Sequence, residues 1–454
     1  MKIESLLVHG AVDGDEFTGS VNIPIYQTST YKQQALGEFK YEYSRTQNPT
    51  REALEKTIAV LENGIGGLAF GSGMAAITAV FSLFKSGDKV IIPDNLYGGT
   101  FRVIDKVFKN FDINYEITDI SDVNNIKKIL EDDKENQKIK AVFIETPTNP
   151  LMDITDIHEV SSLAKEYNVL TIVDNTFMSP YLQKPLNLGA DIVVHSATKY
   201  LGGHSNVVAG LVAVKDNKEI LERLYFIQNS TGGVLGPFDS YMLIQGIKTL
   251  GVRMDRHNEN AAKIAEYLAN SEFVEKIYYP GLKSSKGYEI QKKQADGFGG
   301  MISFVTKDNI DYRKFLKSLK LITLAESLGG VESLICHPAT MTHAAIPYEI
   351  RQKSGIVDNL LRLSVGIENV EILDIKQLKF EGMKTKDIKK ALIHNEVLKG
   401  EDKIYLQNKH SKMIAGLSTR QVHNIISTIF TRAIDSRHAY LKQELISNVG
   451  LIFY

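Results

Sequence analysis

Between residues 51 and 245 the chain repeats one unit: a short apolar run rich in β-branched residues, then a stretch with helical spacing. The runs are "KVIIPD", "INYEIT", "KAVFIET", "VLTIVDN", "DIVVHS" and "VVAGLVAV"; patterns such as "GGTFRVIDKVFKN" and "IHEVSSLAKEYN" lie between several of them. A run that is apolar at nearly every position, rather than at every second one, is a strand buried on both faces. Such strands alternating with helices predict an α/β fold, a mainly parallel sheet covered by helices on both sides.

The chain has 454 residues, more than one core comfortably holds, so further units are expected. Residues 1–50 read as an N-terminal arm rich in turn residues. At its end Asn48, Pro49 and Thr50 form a turn and cap for the helix that follows. Residues 51–245 are the large domain. Residues 246–373, with the long helical stretch "RMDRHNENAAKIAEYLAN" and the strands "MISFVT" and "LLRLSVG", read as a smaller α/β C-terminal domain. Residues 374–454 form an atypical extension in which basic residues outnumber acidic ones. Within it "TRQVHNIISTIFTRAI" has helical periodicity. The extension reads as an appended helical segment packed on the rest, as a fused end without an evolved role, or as a module that binds nucleic acid or protein.

Parallel sheets place ligands at the carboxyl ends of their strands. Polar residues fall there at Asn95, Glu145, Asp174, His195 and Ser196. Just beyond one such end, in "VVHSATKYLGGHS", stands Lys199 between hydroxyl side chains and a glycine-rich turn. Most lysines pack their stem and hold the ammonium in water. A lysine kept in a dry pocket instead has a lowered pKa and can form a Schiff base with an aldehyde.

The neighbouring pattern matches what a pyridoxal phosphate site requires. Asp174 ends a buried strand and suits a pyridine nitrogen; its rival role is a helix cap. "FGSGMAAI" is a glycine-rich turn entering a helix, where the N–H groups of Gly73 and Met74 suit a phosphate, although glycines also serve plain turns. Ser196 and Thr198 add hydroxyls to the same group. Tyr97, in "NLYGGT", suits the ring face or else a half-buried core position. Arg362 interrupts an apolar strand; a buried arginine needs an anion, either a substrate carboxylate or a structural acid.

With these residues in place the chain resembles the Cys/Met-metabolism PLP-dependent enzymes of transsulfuration. The motifs that carry the resemblance are "YEYSRTQNPTR", "FGSGMAAI", "LYGGTFR", "IETPTNP", "IVDNTFMSPYLQKPLNLGADIVVHSATKYLGGHS", "ESLGGVESL", "MTHAAIP" and "LLRLSVGIE", in family order over roughly residues 1–370. The resemblance implies a fold-type I PLP-dependent enzyme, assembled as a homotetramer of tight dimers. It implies that Tyr43 and Arg45 reach the phosphate of a neighbouring subunit. It places Gly73, Met74, Ser196 and Thr198 at the phosphate, Tyr97 on the ring, Asp174 at the ring nitrogen and Lys199 at the aldehyde. It assigns Asn149, Ser333 and Arg362 to the substrate carboxylate, and Arg102 and Glu332 to the distal end of the substrate. Asn206 departs from the family, which often has aspartate there.

The implied activity is carbon–sulfur elimination on an amino-acid thioether, with Lys199 and Tyr97 as the catalytic groups. The expected reaction is γ-cleavage of cystathionine to cysteine, 2-oxobutanoate and ammonia. A glutamate at 332 favours this over β-cleavage, because family β-lyases are expected to have tyrosine at that place. Gly99 favours it over a methionine γ-lyase, which tends to have cysteine. Cystathionine γ-synthase and β-lyase remain alternatives, as does a non-enzymatic PLP-binding regulator. A formal net charge of −1 gives no general field for nucleic acid or an anionic membrane, so neither partner is expected, and no metal. The single cysteine, Cys336, and the lack of a signal or spanning segment suit the cytoplasm.

Overall fold

A computed structural model of the chain describes residues 1–10, 14–344 and 348–372. The basic extension from residue 374, including its helix-periodic stretch, lies outside the described residues. Residues 1–270, 276–305 and 322–372 make one compact unit; residues 271–275 and 306–321 belong to a second.

The first sheet has seven strands: β1 (Gly66–Phe70), β2 (Lys89–Pro93), β3 (Asn114–Thr118), β4 (Ile139–Glu145), β5 (Leu170–Asp174), β6 (Ile192–Ser196) and β7 (Gly210–Val214). Their order across the sheet is β1-β7-β6-β5-β4-β2-β3. The pairings among β2 to β6 are parallel, and β7 runs antiparallel to both β1 and β6. The mainly parallel α/β class read from the sequence is therefore the fold observed, and all six quoted runs contain strands. β1 was not foreseen: "GGLAF" has two glycines and three apolar residues, too little to register as a run.

The reason both faces must be covered is visible along single strands. Val90, Ile92, Phe143, Ile172, Ile192 and Val212 face the helices Gly73–Phe81 and Lys218–Thr231. Their neighbours Ile91, Val142, Ile144, Val173, Val193 and Ala213 face the helices Val123–Asp132 and Ile157–Glu166. Each side chain removed from water in this way contributes about 1.5–3 kcal/mol for the larger aliphatics. The helix Pro49–Glu62 starts at the expected place: the Asn48 side chain accepts from the N–H groups of Thr50 and Arg51.

The second sheet comprises β8 (Val274–Tyr278), β9 (Met301–Thr306), β10 (Thr323–Leu324), β11 (Leu334–Cys336) and β12 (Leu360–Ser364), in the order β10-β11-β12-β9-β8. Arg362 lies on β12, between Cys336 of β11 and Ser303 of β9. The expected boundary near residue 245 falls inside the helix Pro237–Lys248. Among the described residues no helix is long and apolar enough to cross a membrane.

Candidate active site

Three parallel strands end side by side, β4 at Glu145, β5 at Asp174 and β6 at Ser196, with Glu145 directly opposite Asp174. Above these ends lies a cleft of about 330 Å³ whose walls include Tyr97, Asn149, Asp174, Lys199, Ser327 and Arg362. Lys199 follows β6 by a tight turn, its N–H donating to Ser196 O at 3.1 Å and its carbonyl accepting from Gly203 N–H at 2.7 Å. Gly203 has φ +71 and its α-carbon is packed so closely against Arg253 that a Cβ would stand 2.2 Å from the guanidinium Nη1, so this position requires glycine.

The Lys199 amine donates to Ser327 Oγ at 2.8 Å. Burial, and after it the positive charge of Arg362, lowers its pKa to about 8. This is the dry, partly neutralised lysine of the second reading, not the solvated one. Ser327 sits at φ 85, in the left-handed region that side-chain-bearing residues seldom adopt. There its hydroxyl meets Lys199 while its carbonyl accepts from Arg362 Nη2 at 3.1 Å. Arg362 Nη1 donates to Asn149 Oδ1 at 2.7 Å. The guanidinium is buried, and among the described residues no acid forms an ion pair with it. Its acceptors are neutral, so it retains attraction for an anion such as a carboxylate.

Asp174 accepts from both the N–H and the hydroxyl of Thr176. Burial raises its pKa, against the opposing pull of those two bonds. Burial, and then the charge of Asp174, raises Glu145 to about 8. The two carboxyls thus compete for a single comfortable charge, and a cation set against Asp174 relieves that competition.

The N-terminus of the helix Gly73–Phe81 also lines the cleft, through Ser72, Gly73 and Met74. Ser72 caps it through Ala75 N–H, and the first-turn N–H groups at Gly73 and Met74 have no intrahelical acceptor. A Cβ on Gly73 would lie 2.8 Å from Ser196 Cβ. Only glycine lets this helix end approach β6 so closely, which makes a cradle for an anion. Ser196 and Thr198 both line it. The Thr198 hydroxyl also accepts from Ala209 N–H at 3.0 Å, which fixes its orientation.

A lysine for an aldehyde, an acid for a ring nitrogen and a helix N-terminus for a phosphate, all on one sheet edge, fit pyridoxal phosphate. Such a fold and site define the class of pyridoxal-phosphate enzymes. The family model for "Cys/Met metabolism PLP-dependent enzyme" matches residues 4–379, and the chain belongs to that family. It is 55% identical over 378 residues to a cystathionine beta-lyase of Lactococcus lactis subsp. cremoris (strain MG1363), covering 83% of this chain and 98% of that protein. It is likewise 55% identical over 374 residues to a cystathionine gamma-lyase of Bacillus subtilis (strain 168), covering 82% of this chain and 97% of the relative. Among solved structures, the cystathionine gamma-lyase from Lactobacillus plantarum complexed with L-serine superposes with a TM-score of 0.81 at 48% identity, over 83% of this chain and 98% of that one. The expectations of a PLP-dependent lyase and of its cofactor therefore hold, and the regulator reading is set aside.

Five of the assigned residues are not on the wall of this chain's cleft. Glu332 and Ser333 are not on the cleft wall. The Ser333 hydroxyl donates to Glu368 Oε2 at 2.9 Å and accepts from Gly366 N–H at 2.8 Å, so it braces the end of β12. Glu332 accepts from the Ser205 hydroxyl. Glu326 and Ser327, six residues upstream, do line the cleft. Arg102 is exposed on the helix Gly98–Lys106 and does not line the cleft. Tyr43 and Arg45 are also exposed and lie outside this chain's cleft; Arg45 stacks on the Tyr43 ring and donates to Asn229. Asn206 is exposed. Ser327, Glu326, Glu145 and Thr176 were not assigned roles from the sequence, though Glu145 was visible as a strand-end acid.

Proposed function

We propose that this chain is a carbon–sulfur lyase of transsulfuration that cleaves cystathionine by γ-elimination to cysteine, 2-oxobutanoate and ammonia. The observation that supports it best is the shared contact at Ser327. Its hydroxyl holds the Lys199 amine and its carbonyl holds the Arg362 guanidinium, so a carboxylate bound at Arg362 presents its own α-carbon beside the amine. Asp174 would hold the ring nitrogen of the cofactor, Tyr97 its face, and Gly73, Met74, Ser196 and Thr198 its phosphate. Bound pyridoxal phosphate withdraws electrons from the α-carbon of the amino acid it carries.

The remaining steps belong to the chain's own groups. Lys199, freed as a neutral amine, removes the α-proton as general base. For γ-elimination the same amine then moves a proton at the β-carbon, a task suited to a side chain held at its tip by one hydrogen bond. The thiolate leaves from the γ-carbon and is protonated by Lys199 or Tyr97. In β-elimination it leaves directly after the first proton is taken.

The case for the γ-carbon now rests on Glu326, not Glu332. A carboxylate on the cleft wall attracts the distal ammonium of cystathionine. The β-reaction is the second reading, favoured by the Lactococcus relative at the same 55% identity. Incubation with cystathionine alone tests the choice: 2-oxobutanoate with cysteine supports γ-cleavage, and pyruvate with homocysteine as the main products refutes it. An activated homoserine ester plus cysteine tests the γ-synthase alternative. We further propose a cytoplasmic homotetramer, a dimer of dimers in which Tyr43 and Arg45 complete the phosphate site of a neighbouring copy; their exposure here is what such a role requires.

A further inference from the structure

Glu145 lines the cleft at the end of β4, and none of the roles above uses it. Both of its carboxyl oxygens are engaged. Oε2 accepts from Tyr97 N–H at 3.0 Å, and Oε1 accepts from Asn149 N–H at 2.8 Å. Those two N–H groups belong to different clamps. Tyr97 begins the helix Gly98–Lys106 and offers its ring to the cleft. Asn149 holds Arg362 through its side chain at 2.7 Å.

A buried acid beside a second acid is expensive, and a buried N–H can be satisfied by a neutral hydroxyl or amide oxygen at lower cost. Glu145 is 6% exposed and stands opposite Asp174 in the sheet. What a carboxyl supplies here, and an amide does not, is two oxygens that can each accept from an N–H, with or without its proton. A glutamine would turn its NH₂ toward one of the two N–H groups and lose that bond.

We infer that Glu145 is a positioning residue that ties the ring clamp at Tyr97 to the carboxylate clamp at Asn149 and Arg362, so that one group sets both. The inference rests on the proposal that Arg362 receives the α-carboxylate of an amino acid. It adds that the site's affinity for any amino acid depends on a carboxyl that touches neither substrate nor leaving group.

The test uses full-length holoenzyme with Glu145→Gln and Glu145→Asp. Glycine, an amino acid with no leaving group, is titrated against the cofactor's visible absorbance. Leaving one of the two buried N–H groups without an acceptor predicts glycine binding weaker by about tenfold in Glu145→Gln. The shorter Glu145→Asp keeps both oxygens but spans the two N–H groups poorly, and it shows the same loss; it carries the test should the glutamine variant not fold. Cofactor content is unchanged in both. Arg362→Lys weakens glycine too, and combining it with Glu145→Gln gives less than the product of the two losses, because both act through Asn149. Amide exchange in segments 95–99 and 147–151 quickens together in either variant. Glycine affinity at the wild-type level, or losses that multiply fully, overturns the inference. A wild-type enzyme that does not respond to glycine refutes the Arg362 reading instead, and exchange then decides alone: wild-type rates in both segments overturn the tie.

Discussion

The Lys199 amine should titrate well below an ordinary lysine, and the fold says by how much. Burial and the nearby Arg362 charge bring its pKa from 10.5 to about 8. At neutral pH about a tenth of the amine is then uncharged, against roughly one part in three thousand for a solvated lysine, a ratio of about 300. The assay is uptake of pyridoxal phosphate by the cofactor-free protein, followed by stopped-flow absorbance across pH. Each rate is divided by that of a free lysine derivative, which cancels the pH dependence of the aldehyde. The quotient should stay level below pH 8, then fall about tenfold per pH unit between 8 and 10.5 as the free amine catches up. Arg362→Gln removes the second cause, so the break moves to higher pH. The sign for stability follows: across this window the unfolded chain holds a proton that the fold does not. This group's contribution therefore increases as pH rises from 8 to 10.5, and its burial penalty is fully felt below 8. A quotient that stays level across the whole range would refute the desolvated-amine reading.

Four further outcomes are expected. Lys199→Ala loses turnover and the cofactor's visible band; a variant with wild-type band and rate would show that another group does its work. Arg45→Ala weakens cofactor retention by about tenfold or more, the scale of one charge-assisted phosphate contact, and an active monomer in sedimentation would remove the basis for this. Glu326→Ala raises KM for cystathionine several-fold more than for a substrate without a distal ammonium, whereas Glu332→Ala leaves both near wild type; the opposite pattern would restore Glu332 to the substrate end. Truncation after Gly382 keeps cofactor binding, since every cleft residue lies at or before Arg362, and a soluble truncated protein unable to bind pyridoxal phosphate would show otherwise.

What could be read from the sequence was whatever repeats with a period or sits at a fixed offset from a strand. Continuous β-branched runs follow from burial on two faces, and Asp174, Ser196 and Lys199 were found because parallel strands deliver their last residues to one edge. Glu145 was visible for the same reason, but its purpose was not, because its partners Tyr97 and Asn149 meet it only through backbone N–H groups that any residue would supply. Arg102 came from the resemblance alone, and its place on a helix does not say which way its side chain faces.

The substrate end shows most directly where sequence reasoning stops. "AESLGGVESL" contains the pair Glu-Ser twice, at 326–327 and at 332–333. Composition and local charge do not separate the copies, and six residues in a loop can cross the cleft. Backbone geometry separates them. The first Ser stands at φ 85, which carries its hydroxyl to Lys199 and its carbonyl to Arg362. The second Ser directly precedes β11, whose antiparallel register with β12 brings it to Glu368 and Gly366. Gly329, between the copies, has φ +76, and a Cβ there would stand 2.7 Å from Tyr200 N, so the loop is pressed against the Lys199 turn at this point. That close approach is why the upstream copy, and not the downstream one, reaches the amine. It also predicts that Gly329→Ala, though Gly329 is not itself on the cleft wall, displaces Ser327 and slows turnover while Ser333→Ala mainly lowers stability. Wild-type turnover in Gly329→Ala would mean that the pressed glycine does not set the position of Ser327.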